Sequence, residues 1–415
     1  MPIGPAGATR SLPDRPNLRH LKAQARDLLD AGAATSVTDA QFQLARQYGF
    51  PSWPKLKAHV ESVGEVAQLE HAIDHDDLGR VQAMMTHNPA LHRAKLGYAH
   101  AGPLTLVAEC RRPRDVRGRA GVTAERLTLA EWMITHGSDV HQGGDGPLMR
   151  AALSGTRVPM MALLVSHGAD VNAEWHGEFP IVFAPCETVD PVALAWLLAH
   201  RANPNCARPQ RRYPGTALDY VLGSYVRRSA DLSACIDMLL GAGAVTKYMV
   251  PAVMDLIRNR IDLLAAHLDA DPSLLRRRFP EIDFGTTGGR RLTLRGGTLL
   301  HVAAEYCNLE ATTLLLDRGA DIDARATVDK QGVGGQTPIF HAVTQRDDEG
   351  LRVARLLVER GADLSVGARV PGHYERPDEV LHCTPLGYAL AFEDEPWPGD
   401  KVQTARFLRS LGAAE

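Results

Sequence analysis

The sequence predicts an all-α fold, a solenoid of short helix pairs, and two observations support this prediction. Apolar stretches of helical length come in pairs along the chain, and a glycine follows the second stretch of most pairs, as at Gly137, Gly168 and Gly319. Only glycine takes the left-handed conformation that ends a helix without a steric penalty at Cβ. Aromatic residues make up only 6% of the chain, which favours thin, closely packed helices over a large globular core.

The spacing of these helix ends indicates a repeat. Gly168 follows Gly137 by 31 residues, and Arg201, which stands where a glycine is expected, follows Gly168 by 33. Periods of roughly 20–50 residues are the signature of repeat architectures. Each unit of such an array buries its apolar face only against its neighbours, so the chain can be long without a single central core.

The clearest unit opens at Gly297-Thr298-Leu299-Leu300-His301 and ends at Gly319-Ala320-Asp321. Thr298 is placed to cap the first helix, and Gly319 ends the second. This unit resembles an ankyrin repeat, whose signature is T-P-L-H-x-A with a period of about 33 residues. The resemblance extends over roughly 65–415 and implies about nine helix pairs. It also implies that His301 binds neighbouring backbone and ties adjacent loops together, and that β-hairpin fingers connect the repeats.

The residues before the array predict two further regions. Residues 1–16 contain four prolines and are predicted to be a disordered lead-in. Residues 17–64 contain three amphipathic helical patterns, which predict a helical N-terminal cap that covers the first apolar face of the array (65–415). The segment 48–57 is similar to a leader found ahead of ankyrin arrays in bacterial proteins, which predicts a bacterial source.

Composition narrows the function classes. The net charge of −3 gives no general attraction to nucleic acid or to an anionic membrane, so neither is a predicted partner. Six cysteines lie far apart without a C-x-x-C pair, which predicts reduced thiols. With no apolar run of about 18 residues, the chain is expected to be cytoplasmic. No metal site and no cofactor are predicted.

Four connectors between a helix end and the next opening are longer than the period allows, and they lie at 206–215, 277–296, 323–336 and 366–383. In ankyrin repeats the segment between a helix end and the next repeat opening forms the finger beside the concave face. The resemblance therefore implies that the long connectors gather on one side, and clustered insertions usually mark the binding face of a repeat array.

The fingers carry aromatic and charged side chains that a spacer does not need. The predicted contacts to a ligand or partner are Trp175, His176, Arg211, Arg212, Tyr213, Arg290, Arg291, His373 and Tyr374. Aromatic and arginine side chains are the usual anchors of protein interfaces. The run 276–278, with Arg290, Arg291 and Arg295, forms a basic cluster that could meet phosphate or an acidic partner.

Three hypotheses about these fingers stay open. The leading one is a scaffold that binds another protein through its concave face and fingers. The second is a small-molecule or carbohydrate site, with or without enzyme activity. An enzyme here would be of hydrolase or lyase type, with two carboxylates acting as acid and base. Its catalytic candidates are Glu178, Glu281, Asp283 and Glu375. The third is that the fingers are solvated loops held by local pairs.

Overall fold

A computed structural model of the chain describes residues 9–13, 16–109, 121–206, 215–227, 229–285, 290–376, 378–392 and 402–414. The first ten α-helices are α1 (Leu18–Asp30), α2 (Val37–Gln47), α3 (Trp53–Asp74), α4 (Leu78–His87), α5 (Pro103–Glu109), α6 (Ala124–Thr135), α7 (Gln142–Ala152), α8 (Val158–Ser166), α9 (Phe183–Thr188) and α10 (Pro191–Ala199). The others are α11 (Ala217–Leu222), α12 (Ser229–Gly241), α13 (Pro251–Ile257), α14 (Ile261–Ala270), α15 (Leu299–Glu305), α16 (Leu309–Asp317), α17 (Pro338–Ala342), α18 (Leu351–Glu359), α19 (Pro385–Leu390) and α20 (Val402–Ser410).

The chain divides into two compact units. Unit 1 comprises 1–151 and 159–169, and unit 2 comprises 152–158 and 170–415. This division differs from the predicted boundary between residues 64 and 65. That boundary falls inside α3, which runs unbroken through Gly64. A single glycine inside a helix costs only about 1 kcal/mol, so it does not separate the third leader helix from the first repeat helix.

In unit 1 the first three helices share an apolar cluster. Leu21 of α1, Leu44 of α2 and Leu56 of α3 are buried in it, and Phe50 and Trp53 pack against it. The three predicted amphipathic helices are therefore present and packed together. Their role as a cap on the repeats stays a prediction.

In unit 2 the helix pairs stack in register. The first helices of successive pairs pack together in the order α13, α15, α17 and α19, and the second helices pack in the order α14, α16, α18 and α20. Because α15 lies between two neighbours and its own partner, all its residues from Leu299 to Glu305 are buried. This is the side-by-side packing expected of a repeat array.

The predicted helix ends have the predicted backbone conformation. Gly168 (φ 100°), Gly319 (φ 84°) and Gly361 (φ 92°) are left-handed, and so is Arg201 (φ 69°). A Cβ added at these three glycines would meet no atom within 4 Å. The conformation alone, and not crowding, is therefore what favours glycine there.

Two of the expected β-hairpin fingers are present. Strand β1 (Glu174–Trp175) pairs with β2 (Phe179–Pro180), and β3 (Ala368–Pro371) pairs with β4 (Val380–Cys383), both antiparallel. The described parts of the connectors 277–296 and 323–336 contain isolated bridges instead of strands, at Phe279–Gly297 and Gly334–Arg369. The fingers are thus less regular than the family resemblance implies.

Two general features complete the description. No disulfide joins the five described cysteines, which are Cys186, Cys206, Cys235, Cys307 and Cys383. Of the helices the structure describes, none alone has the length and apolar character to cross a bilayer, while one bent pair, 142–152 with 155–166, meets that test by length and composition only.

Candidate functional site

Three of the long connectors meet in unit 2, and we call them connector 1 (277–296), connector 2 (323–336) and connector 3 (366–383). Backbone hydrogen bonds join each to the other two. The N–H of Thr327 donates to the carbonyl of Gly296 (3.1 Å), that of Gly334 to Arg369 (2.6 Å), and that of Arg291 to Gly372 (3.1 Å). Connectors 1 and 3 are therefore in contact although two helix pairs and connector 2 separate them in sequence.

These bonds confirm that long connectors gather on one side, for the described parts of three of them. The fourth, 206–215, lies almost wholly outside the described residues, which omit 207–214. We call the ring of three inter-connector bonds the frame. Because the bonds are made by backbone groups, the frame depends on the path of the chain more than on side-chain identity.

Glycines make the close approaches in the frame possible. Gly334 has φ 126°, and a Cβ atom there would lie 2.4 Å from the carbonyl oxygen of Thr327. Gly296 has φ 71°, and its Cβ would lie 2.5 Å from that of Thr327. Both distances are below van der Waals contact. A larger residue at Gly296 would force connectors 1 and 2 apart, and one at Gly334 would push apart the two arms of connector 2.

The frame encloses a cleft of about 590 Å³. It is lined by residues of all three connectors and by no part of the helices. The lining residues are Pro280, Arg291, Leu292, Thr293, Arg295, Gly296, Thr327, Val328, Asp329, Lys330, Gln331, Val333, Gly334, Gln336 and Pro371. This framed cleft is the candidate functional site.

Beneath connector 1 lies a charged cluster from which water is excluded. The side chains of Glu305, Arg227, Arg290 and His341 have no exposed surface. The Glu305 carboxylate accepts from Arg227 Nη2 (2.8 Å) at Oε1, and from Arg290 Nη2 (2.7 Å) and His341 Nδ1 (2.7 Å) at Oε2. Arg227 also lies over the Tyr306 ring, 4.6 Å from its centroid. Arg290 immediately precedes Arg291, so the cluster fixes the chain where it enters the cleft.

The cluster sets the charge of its members. Burial by itself would raise the pKa of Glu305, but Arg290, the hydrogen bond from His341 and Arg227 outweigh it and lower that pKa to about 2. Burial lowers the pKa of His341 despite the carboxylate beside it. Glu305 is therefore ionised at neutral pH, and His341 is a neutral ring whose Nδ1–H donates to it.

His301 makes the loop tie that the resemblance implied. Its Nδ1 accepts from the backbone N–H of Thr298 (3.0 Å), and its Nε2 lies 3.1 Å from the carbonyl of Gln336, at the end of connector 2. Burial, with a smaller contribution from His341, lowers the pKa of His301 to about 3, so the ring is neutral and Nε2 carries the proton. The tie holds connector 2 against the start of α15.

Of the predicted contact residues that the structure describes, only Arg291 lines the cleft. Arg290 is buried in the cluster beneath it. His373 is also buried and accepts from the N–H of Glu375 (3.2 Å) within connector 3. Tyr374 is 54% exposed in the turn of the β3–β4 hairpin of connector 3. Buried Arg290 and His373 hold the connectors in place, and their predicted binding role is not visible in this arrangement.

The other predicted contacts lie elsewhere. Trp175 and His176 sit in the β1–β2 hairpin with their rings 4.6 Å apart, and they do not line the cleft. Arg211, Arg212 and Tyr213 are outside the described residues.

The four catalytic candidates are not brought to the cleft. Glu281 pairs with Arg277 (2.7 Å), Asp283 accepts from the hydroxyl of Tyr248, and Glu375 lies 3.2 Å from the hydroxyl of Tyr374. Glu178 is exposed in the β1–β2 hairpin. None of them is among the lining residues, so the arrangement does not support an acid–base pair.

Sequence reasoning missed most of the lining. Thr327, Val328 and Val333 are uncharged and gave no signal of their own. The signals that could have found them are the length of connector 2 and its three closely spaced glycines, Gly332, Gly334 and Gly335, all with positive φ. Glu305 was missed because a glutamate inside a repeat signature gives no indication that it will be buried.

Comparison with known proteins identifies the repeats. The ankyrin-repeat family, in three copies, matches residues 263–368, which include connectors 1 and 2. The chain is similar to the mouse B-cell lymphoma 3 protein homolog, with 40% identity over 87 residues, which are 20% of this chain and 18% of that protein. It is also similar to the mouse ankyrin repeat domain-containing protein SOWAHD, with 34% identity over 144 residues, 33% of this chain and 38% of that one.

The chain thus spans less than two fifths of either of these relatives. Among solved structures, the human ASB11 ankyrin repeat domain has 20% identity and a TM-score of 0.36, with 63% of this chain and 99% of that one covered. The family match shows ankyrin repeats over residues 263–368, as the sequence predicted for this part of the chain. These relatives are mouse proteins, and a bacterial source stays a prediction.

Proposed function

We propose that the chain is a scaffold that recognises a partner protein, and that the framed cleft is a principal contact surface. Ankyrin repeats generally mediate binding between proteins. The observation that carries the proposal is the frame, in which three connectors hold one another in position around the cleft. A surface ordered before binding loses less conformational entropy when a partner docks, which favours affinity. The described cysteines form no disulfide, which supports the additional proposal that the chain acts in the reducing cytoplasm.

The lining favours a protein over a small molecule or a saccharide. Small-molecule sites are lined mainly by hydrophobic and aromatic side chains. Among the described lining residues there is no aromatic ring, and much of the wall is glycine, threonine and charged side chains. A sugar would have no ring to stack on there, whereas a peptide can use exposed backbone and charged side chains.

Site-specific photocrosslinking tests the proposal. Val328 lines the cleft and is 53% exposed, so a photoreactive phenylalanine analogue can replace it without emptying a core. The matched control is Val245, which is 61% exposed and does not line the cleft. The full chain, expressed in the cells that normally make it, is irradiated, and its adducts are identified by mass spectrometry.

We expect one defined protein adduct from position 328 and none of comparable yield from position 245. Adducts of equal yield at the two positions, or none at position 328, would refute the cleft as a protein-binding surface.

A further inference from the structure

The charge of the cleft differs from that of the chain. Arg291, Arg295 and Lys330 line it against one carboxylate, Asp329. The whole chain contains 46 Lys and Arg against 49 Asp and Glu, a net charge of −3. The frame therefore concentrates positive charge in an overall slightly acidic protein, and such a local reversal attracts a ligand of the opposite sign.

The single carboxylate is used by its own loop. Oδ1 of Asp329 accepts from the backbone N–H of Gln331 (2.9 Å) and of Val333 (2.9 Å). These bonds fold the tip of connector 2. Arg295 and Lys330 form no ion pair with a carboxylate within the part of the chain that the structure describes. Their charges therefore stay available to a ligand.

Two more arginines on the connectors keep their charge. Nε of Arg278 donates to the carbonyl of Arg325 (2.9 Å), and Nη1 of Arg369 lies 3.5 Å from the carbonyl of Gln331. A carbonyl oxygen orients a guanidinium but does not cancel its charge. These two side chains extend the positive surface beyond the edge of the cleft.

Two acidic side chains near the cleft are paired with bases. Glu281, next to the lining residue Pro280, pairs with Arg277 (2.7 Å). Glu379 of connector 3 pairs with Arg376 (3.2 Å). Among the residues that line the cleft itself, positive side chains outnumber carboxylates.

We propose that the cleft receives an extended, carboxylate-rich segment of the partner protein, an inference that rests on the proposed function of the cleft. Arginine binds carboxylates through two parallel N–H donors. The apolar parts of the lining, including Val328 and Val333, accept the methylenes between backbone and carboxylate of a Glu or Asp side chain. A single-stranded nucleic acid would need aromatic rings on which its bases stack, and the described lining offers none.

Peptide binding tests the inference. The probe is a fluorescein-labelled peptide of alternating Glu and Gly, and its neutral match replaces every Glu by Gln. Fluorescence anisotropy with the full chain is measured at about 0.05 M and about 0.5 M salt, where screening is weak and strong respectively. We expect the acidic peptide to bind at least about tenfold more tightly than the neutral one at low salt, and to lose this advantage at high salt.

Two charge-matched double variants localise the binding. Arg295→Gln with Lys330→Gln removes two charges from the cleft, and Arg352→Gln with Arg406→Gln removes two exposed charges from α18 and α20. We expect the first variant to bind the acidic peptide about tenfold or more weakly, which corresponds to about 1.4 kcal/mol. We expect the second variant to change this affinity less than twofold. Equal binding of both peptides, equal effects of both variants, or tighter binding of a labelled oligonucleotide would overturn the inference.

The crosslinked partner separates this inference from the proposed function. If position 328 captures a protein through a segment without an excess of Asp and Glu, the acidic specificity is wrong and the scaffold function stands. If it captures no protein, the proposed function fails as well.

Discussion

Replacing Glu305 by Gln tests whether the buried charged cluster stabilises the candidate site. The substitution keeps the size of the side chain and removes the charge that two buried guanidinium groups share. Removing one partner of a buried ion pair costs about 3–5 kcal/mol, because the remaining charge is left uncompensated. We expect unit 2 to lose stability of this order at neutral pH.

The pKa of Glu305 gives an independent magnitude and a pH window. A pKa difference of one corresponds to about 1.4 kcal/mol, and lowering the pKa from 4.5 to about 2 therefore corresponds to roughly 3 kcal/mol. Because the folded-state pKa is depressed, this contribution is present above pH 4.5 and is lost as the pH falls through about 2. The stability gap between the wild type and Glu305→Gln should therefore shrink over that interval.

Urea unfolding followed by circular dichroism measures the gap. Since two units need not unfold together, hydrogen exchange of the α15 amides is followed in parallel. The control is Asp317→Asn, whose side chain is 56% exposed and pairs with Arg360 (2.8 Å), and an exposed pair contributes at most about 1 kcal/mol. A gap for Glu305→Gln no larger than this control, or independent of pH, would refute the reasoning.

A second variant separates loss of charge balance from loss of packing. In the triple substitution Arg227→Met, Arg290→Met and Glu305→Leu, no buried charge is left alone. Replacing a buried ion cluster by apolar residues of similar volume is often neutral or stabilising. We expect the triple variant to be more stable than Glu305→Gln, and the opposite order would show that the charges themselves hold the helices together.

Two further predictions concern glycine and its replacement. Gly334→Ala should weaken partner capture by the cleft, because its Cβ would lie 2.4 Å from the carbonyl oxygen of Thr327. The control is Gly319→Ala, whose Cβ meets no atom within 4 Å. It should cost about 1–2 kcal/mol of stability and leave partner capture unchanged. Equal crosslinking yields from position 328 in the two variants would contradict this. Arg201→Gly should raise stability by roughly 0.5–1 kcal/mol in urea unfolding, since glycine relieves the left-handed strain but is more flexible when unfolded. A decrease would show that the Arg201 side chain makes a stabilising contact.

The periodic features of this fold could be predicted from sequence because they depend on local chemistry. A glycine at a helix end and a histidine at a repeat opening each belong to a short sequence pattern. The roles of Gly319 and His301 could therefore be predicted directly. The boundary predicted near residue 64 falls inside α3, because it was inferred from the repeat signature while no residue there is strong enough to end the helix. The repeat period predicts the number of helices. The end of a helix can be predicted only where a helix-breaking residue is present.

The site could be predicted only in outline. Connector length predicted that the fingers gather. It did not predict which side chains would face the cleft, because connectors 1 and 3 meet although two helix pairs separate them in sequence. Arg290 and Arg291 show the limit most clearly. They are identical neighbours in sequence, yet one is buried against Glu305 and the other lines the cleft.

Arg290 and Arg291 also link the buried cluster to the surface of the cleft, because they are adjacent in connector 1. In a helix-pair repeat the connectors are the least constrained part of the chain, and ordering a long one costs conformational entropy for every residue fixed. The buried cluster anchors connector 1 through Arg290, His301 anchors connector 2 through the carbonyl of Gln336, and the frame transmits both restraints to connector 3. Arg291, Arg295 and Lys330 line one cleft on this support. We expect the proposed acidic ligand to relieve part of their mutual repulsion. Disrupting the anchors should therefore weaken ligand binding even when every residue that lines the cleft is unchanged.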